Sequence, residues 1–207
     1  MKKLTALLAA VPFAAAMSLV SCSDEAPFVG SWTALSPADV TSRIAGASSA
    51  SSLMTISFLD SSRKSDGEVE LTANVAVTRP VEGFLAADGS PCEVSVASTT
   101  KVSGTWSYDV DDQDDLLLAL NVANVDVGVK PDAVTFPGGT PHDVTPAQVD
   151  SIRQQAAAWC RREVARYVAS DIARYTVIQD IEVSKDGSVL AFEIENPDAD
   201  MRFRRLD

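Results

Sequence analysis

From Val69 to Val77 apolar side chains fall on every second residue: Val69, Leu71, Ala73, Val75 and Val77. Glu70, Thr72, Asn74, Ala76 and Thr78 occupy the positions between and after them. A period of two over about ten residues predicts a β-strand with one buried and one solvated face. Pro80 is expected to end it, because proline donates nothing to a ladder. Further strands are predicted at Phe28–Leu35, Leu53–Leu59, Leu116–Val129, Tyr175–Val183, Ser188–Glu195 and Met201–Leu206. Cys92–Asp109 reads as one long strand or two, with Gly104 as a bend or bulge. Polar turns rich in Gly, Pro, Asp and Ser separate these runs: SSRKSDG at 61–67, ADGSP at 87–91, SKDG at 184–187 and NPDAD at 196–200. Ser36-Pro37-Ala38-Asp39 carries a helix-start pattern, with Val40 and Ile44 facing inward over one or two turns. The Ala- and Ser-rich stretch 45–52 reads as a loop.

The period changes at Thr145-Pro146-Ala147-Gln148, where a threonine cap, a proline at the first helical position and a glutamine three residues on form a capping box. Val149, Ile152, Ala156, Trp159, Cys160, Val164, Tyr167, Val168 and Ile172 then recur at three- and four-residue steps, while Arg161, Arg162 and Arg166 lie mostly off that stripe. The prediction is an amphipathic helix over 146–173, about seven turns long. So apolar a stripe must lie against the sheet, across a barrel end or along its side, with Trp159 as its central anchor and a lid over any cavity as one reading. The fold class is therefore mainly β with one long α-helix: an antiparallel up-and-down barrel or curved meander, with the helix near the C-terminus packing on it. Two of the three tryptophans share one setting, Gly30-Ser31-Trp32 and Gly104-Thr105-Trp106, which suits a small barrel needing glycine where strands bend and bulk where an end is plugged.

Lys2 and Lys3 precede an apolar run from Leu4 to Ala16, the order of a secretory signal and too short for a comfortable bilayer span. Leu19-Val20-Ser21-Cys22 resembles the bacterial lipobox, which implies cleavage before Cys22, a diacylglycerol thioether on its sulfur and a bilayer held through the acylated N-terminus. The expected organisation is a signal peptide over 1–21, a lipidated tether over 22–27 and one domain over 28–207. Ser23 after the cysteine and the acidic pair Asp24-Glu25 resemble outer-membrane and surface-export signals. They imply a cell-envelope, outer-membrane lipoprotein, periplasmic or surface-exposed. Removing 21 of the 207 residues takes away two lysines and no acid, so the formal charge moves from −12 to −14. A surface this acidic repels phosphate backbones and argues against a nucleic-acid partner. Outside the cytoplasm Cys92 and Cys160 can form the one disulfide that two cysteines allow; otherwise they remain separate thiols, with Cys160 buried as a small hydrophobe.

GSW on the first strand, with arginines on the last strand MRFRRL, is similar to the lipocalin-like (calycin) pattern. More narrowly, the chain resembles lipocalin-like lipoproteins of Bacteroidota, which combine a lipobox, an early Gly-x-Trp, a middle Gly-Thr-Trp strand running into an acidic turn, and a basic closing strand. VSGTWSYDVDDQDDLLLAL matches that middle strand. The segment 37–52 and the long helix depart from the pattern. The resemblance implies that Trp32, beside Gly30, plugs the barrel base. It implies too that an arginine crosses the indole: Arg202, Arg204 or Arg205, with Arg204 favoured.

Candidate chemistry is sparse. His142 is the single histidine, in the turn-rich loop FPGGTPHDVTP, so no histidine metal cluster is available and no nucleophile elbow accompanies it. DVDDQDDL at 109–116 has five aspartates but fits no EF-hand register, and it reads as an acidic hairpin tip. No enzyme, metal or cofactor is expected. The expected function is binding of a small apolar ligand, with Val69, Leu71, Val75, Val77, Trp106, Tyr108 and Trp159 as candidate contacts. The alternative is a filled core and a structural or protein-interaction role with an envelope protein as partner.

Overall fold

The computed structural model describes residues 26–60, 65–108, 115–129, 131–195 and 198–206. The signal segment, Cys22 and most of the acidic turn lie outside the described residues.

Strands β1 (Gly30–Ala34), β2 (Ala38–Asp39), β3 (Ser49–Asp60), β4 (Asp66–Leu85), β5 (Pro91–Tyr108), β6 (Leu116–Leu120), β7 (Asp126–Gly128) and β8 (Val134–Thr135) precede helix α1 (Pro146–Ile172). β9 (Val177–Val183), β10 (Val189–Glu195) and β11 (Asp198–Arg205) follow it. Eight of these strands close a barrel in the order β1-β3-β4-β5-β6-β9-β10-β11, with β11 returning to β1 and every pairing antiparallel. Each barrel strand neighbours the next in the chain, the up-and-down arrangement, and closure leaves the ring no free edge. β7 and β8 continue the line of β6 along β5, and β2 is added to β3.

The alternation at 69–77 is the inner face of β4. On β5 the even-numbered positions from Cys92 to Val102, and Trp106, are buried. β5 is a single strand whose register with β4 runs unbroken through Gly104. There is thus no bulge at Gly104; glycine is required because the carbonyl of Ala119 occupies the place a Cβ would take. The SKDG turn joins β9 to β10, with Asp186 accepting from the hydroxyls of Ser184 and Ser188 and from the Ser188 amide. These bonds hold its carboxyl at about 2.

Five segments differ from the pattern reading. Asp198 to Asp200, inside the turn expected at 196–200, open β11 because they pair with Glu193 to Glu195. Residues 36–44 form β2 and a 3-10 turn at Thr41–Arg43 in place of a helix. Asp39 accepts from the Thr41 amide at 2.9 Å and hydroxyl at 2.6 Å, a local turn that competes with helix. β3 begins at Ser49, inside the expected loop, because Ser49 to Leu53 pair in continuous register with β4. β4 runs past Pro80 to Leu85: its pairing with β3 has already ended at Thr78, and its register with β5 breaks after Pro80, so the missing N–H is tolerated. Leu116–Val129 is not one strand but β6, a 3-10 turn at Val122–Asn124, and β7.

α1 starts with the capping box: the Thr145 amide donates to Gln148 Oε1 at 2.8 Å, and the Gln148 amide to Thr145 Oγ1 at 3.3 Å. It buries the predicted stripe from Ile152 to Ile172 and adds Ala157; Val149 is only half-buried. The stripe lies on the inner face of the far halves of β3, β4 and β5, the three strands that outrun the rest of the barrel. Cys160 sits by Ser98, Tyr167 lies near Ser52, and the Tyr167 hydroxyl donates to Asp171 Oδ2 at 3.4 Å. The last turn is tied to the barrel mouth by Arg43–Asp171 at 2.6 Å. At the opposite end Phe28 packs edge-on against Phe58 and Trp106, both at 5.1 Å, and Tyr108. One core runs from that base to the helix. Every described element lies within 26–206, so a chain starting at residue 23 retains all of them.

Candidate functional site

At the base, Trp32 is fully buried and its Nε1 donates to the Phe28 carbonyl at 2.7 Å. The arginine across its face is Arg205, not the expected Arg204. Its Cζ lies 5.2 Å from the ring centroid and Nη2 donates to the Val29 carbonyl at 3.2 Å. Strand register decides the identity. Arg205 is the cross-strand partner of Trp32 and shares its face, whereas Arg204 is opposite Thr33 and exposed outside, as is Arg202 opposite Ala191. Gly30 completes the constellation. Its φ of +135° suits glycine alone, and a Cβ there would lie 3.2 Å from Arg205 Nη2. Among the described residues this end of the barrel is packed around Trp32, Phe58 and Trp106.

The residues nominated as ligand contacts do not meet around one cavity. Val69, Leu71 and Trp106 are buried in the barrel, with Trp106 Nε1 donating to the Leu59 carbonyl at 3.2 Å. Tyr108 is half-buried against Phe28 and Trp106. Val75 and Val77 are buried farther along the same inner face of β4. Trp159 lines an open space.

That space is a cleft of about 670 Å³ between the N-terminal half of α1 and the far end of β4. Ile152, Trp159, Val94, Val81 and Phe84 supply apolar wall, and Arg79, Glu82, Gln155 and Arg162 supply polar groups. Arg79 stacks on Trp159, Cζ 4.6 Å from the ring centroid; its Nε donates to the Pro80 carbonyl at 3.3 Å. Among the described residues it forms no ion pair. Arg162 donates to the buried carboxylate of Glu163 at 2.8 Å, and Arg166 donates to the other oxygen at 2.8 Å. The hydrogen bond from Arg162, assisted by Arg166, holds the Glu163 carboxyl below the ordinary glutamate value. Glu163 falls on the apolar stripe, and an acid on that stripe is the sequence signal that marks this side of the helix.

A second polar group escaped the pattern reading. Asp171, also on the stripe, accepts from Arg43 and from Arg174 at 3.1 Å, while Arg43 stacks over Tyr167 at 4.8 Å. Burial pushes the Tyr167 and Tyr175 hydroxyls up. These groups lock the helix end to the loop before β3.

Cys92 and Cys160 are buried free thiols, not a disulfide. Cys160 sits by Ser98, six residues along β5 from Cys92. That is roughly 20 Å of strand, against a Cα separation under about 7 Å for a disulfide. Burial pushes both thiols up, with Glu93 adding to the effect at Cys92. His142 is exposed, its Nδ1 2.8 Å from Asp143 Oδ2. Among the described residues no group of three or more His, Cys, Asp or Glu side chains is placed to hold a metal, and no helix is long and apolar enough to cross a membrane. No family model and no curated protein matches the chain.

Proposed function

We propose that this protein is a lipid-anchored cell-envelope lipoprotein whose barrel is filled by its own helix and which binds partners at the end far from the membrane. The observation that carries this reading is the seating of α1. Cys160, Val164 and Val168 are covered on the inner face of β3–β5, where an open barrel of this kind would hold a ligand. An apolar ligand inside the barrel would require the helix to withdraw. The cleft stays open without that motion.

The anchor supports a direction. Four peptide steps separate Cys22 from Ala26, a reach of at most about 14 Å. Phe28 is already part of the barrel base, so the base lies close to the bilayer. Trp106, at that base, and Val94, at the cleft, are twelve residues apart on β5, roughly 40 Å of strand. The cleft therefore points away from the lipid surface, toward the periplasm or the exterior, where an envelope protein or a small molecule reaches it. The role is binding, without catalysis, and the acidic surface disfavours nucleic acid.

Two measurements test this. Cys22→Ala is expected to move the protein from the membrane to the soluble fraction and to abolish a diacylglycerol label; unchanged membrane association overturns the anchor. Amide protection across 149–172 is expected to be lost together with the barrel strands, at the global unfolding free energy. Its loss well before the strands would make α1 a movable lid and reinstate a ligand inside the barrel.

A further inference from the structure

We infer that the cleft between α1 and the far end of β4 is a site for a small amphiphilic monoanion, an apolar body carrying one carboxylate. This deepens the reading of the far end as the working end. The cleft volume of about 670 Å³ is within the range of small-molecule sites. Its wall pairs apolar surface from Ile152, Phe84 and Val81 with a guanidinium that has no carboxylate partner among the described residues.

Arg79 is the recognition group. Its Cζ lies 4.6 Å from the Trp159 ring centroid, and Nε is engaged by the Pro80 carbonyl, which leaves the two terminal nitrogens with no described partner. A guanidinium over an aromatic ring with its terminal nitrogens unengaged can meet a carboxylate with two parallel hydrogen bonds. Arg162 adds positive charge on the helix side, but it already answers Glu163 together with Arg166. Glu82 lines the same cleft and carries the opposite sign. Of the charged side chains that line the cleft, Arg79 and Arg162 against Glu82 leave one net positive charge, suited to one negative charge and unfavourable to two. That balance, on a chain with a formal charge of −12, selects a carboxylate over a phosphate dianion or a nucleotide. Burying an unpaired guanidinium without a counter-ion is costly, so an apolar body of the same shape lacking the carboxylate is disfavoured.

The test uses the chain starting at residue 23 and dodecanoate, dodecanol and dodecyl phosphate as probes, each titrated calorimetrically below its aggregation threshold. Dodecanoate is expected to bind one-to-one and at least tenfold tighter than dodecanol, with dodecyl phosphate no tighter than dodecanoate. Arg79→Gln is expected to erase the preference for the acid over the alcohol, while Arg202→Gln, on the outer face of β11, leaves it intact. Gln155→Trp, a substitution at an exposed helix position lining the cleft, is expected to fill the space and abolish dodecanoate binding at an unchanged melting temperature. Equal affinity for acid and alcohol, an undiminished preference in Arg79→Gln, or undiminished binding in Gln155→Trp overturns the assignment. If Arg79→Gln lowers the melting temperature, Arg79→Lys decides: it keeps the charge and loses the planar edge, so retention of the full acid preference overturns the recognition role. None of these outcomes depends on Cys22, so failure here is distinguishable from failure of the anchor.

Discussion

Replacing Trp32 tests the base of the barrel, and the structure sets the size of each effect. The indole is fully buried, so Trp32→Ala removes a large aromatic and leaves a cavity, a loss of about 3–5 kcal/mol. Part of that loss is polar. Without Nε1 the Phe28 carbonyl has lost its 2.7 Å donor in a buried setting, about 1–3 kcal/mol by itself. Trp32→Phe isolates that part, since it keeps most of the apolar area and removes the donor. Arg205→Ala removes the guanidinium over the ring together with its solvent-exposed hydrogen bond to the Val29 carbonyl, which is about 0.5–1 kcal/mol. Because the two side chains touch, the Trp32→Ala and Arg205→Ala effects should be non-additive by a similar amount. The assay is urea unfolding of the chain from residue 23, with stability taken from midpoint shifts at constant slope. The expected order is Trp32→Ala, then Trp32→Phe, then Arg205→Ala, with Arg204→Ala near zero. A cost under about 1 kcal/mol for Trp32→Ala, or a larger cost for Arg204→Ala than for Arg205→Ala, refutes the register argument.

Two further outcomes follow from buried groups. Cys92 and Cys160 have thiols pushed up by burial, so in the chain lacking Cys22 they should resist a disulfide-exchange reagent when folded and both react after denaturation; a native mass lower by two hydrogens would refute free thiols. Glu163 has its folded value depressed by Arg162 and Arg166. Its contribution should therefore be full above the ordinary 4.5 and lost as pH falls through that value toward the folded one. The melting-temperature gap between the parent and Glu163→Gln should be widest above pH 5 and narrow toward pH 3, and a gap independent of pH refutes the ion cluster.

How much was legible beforehand depends on how far apart the cooperating residues lie. The β4 alternation and the α1 stripe are local periodicities, and both elements appear where those periods place them. The start of β3 was hidden because Ala50 and Ser52 read as loop; their inward role follows from β4 beside them and from Tyr167 above them, more than 100 residues away. The arginine over Trp32 turned on a single step of register, which composition cannot fix: Arg204 and Arg205 differ only in which face of β11 they take. Glu163 and Asp171 interrupt the apolar stripe, but the pattern reading passed over both. The cleft was not legible, since Arg79 and Trp159 are 80 residues apart and meet only once α1 lies along β4.

The inner surface of the barrel is graded in side-chain size, and that gradient links the filled interior to the open cleft. Near the base the inward positions are large: Trp32, Phe58 and Trp106. Farther along β3, β4 and β5 they are smaller, valine among alanine, serine and threonine: Ala50, Ser52, Ala73, Val75, Val96, Ser98 and Thr100. Small residues on a concave face leave a trough, and a trough left empty would forfeit close packing and stability. α1 fills it with Cys160, Val164 and Val168, so the helix occupies, as part of the chain, the volume a ligand would otherwise take. That fit holds only as far as β4 stays beside the helix. After Thr78 the strand has no β3 partner, its register with β5 breaks after Pro80, and Gly83 adopts φ +79°. Beyond that point the cleft opens between strand and helix, lined by Pro80 and Val81 and with Arg79 at its threshold. The features that free the end of β4 from the barrel are therefore the ones that leave binding surface outside the filled core.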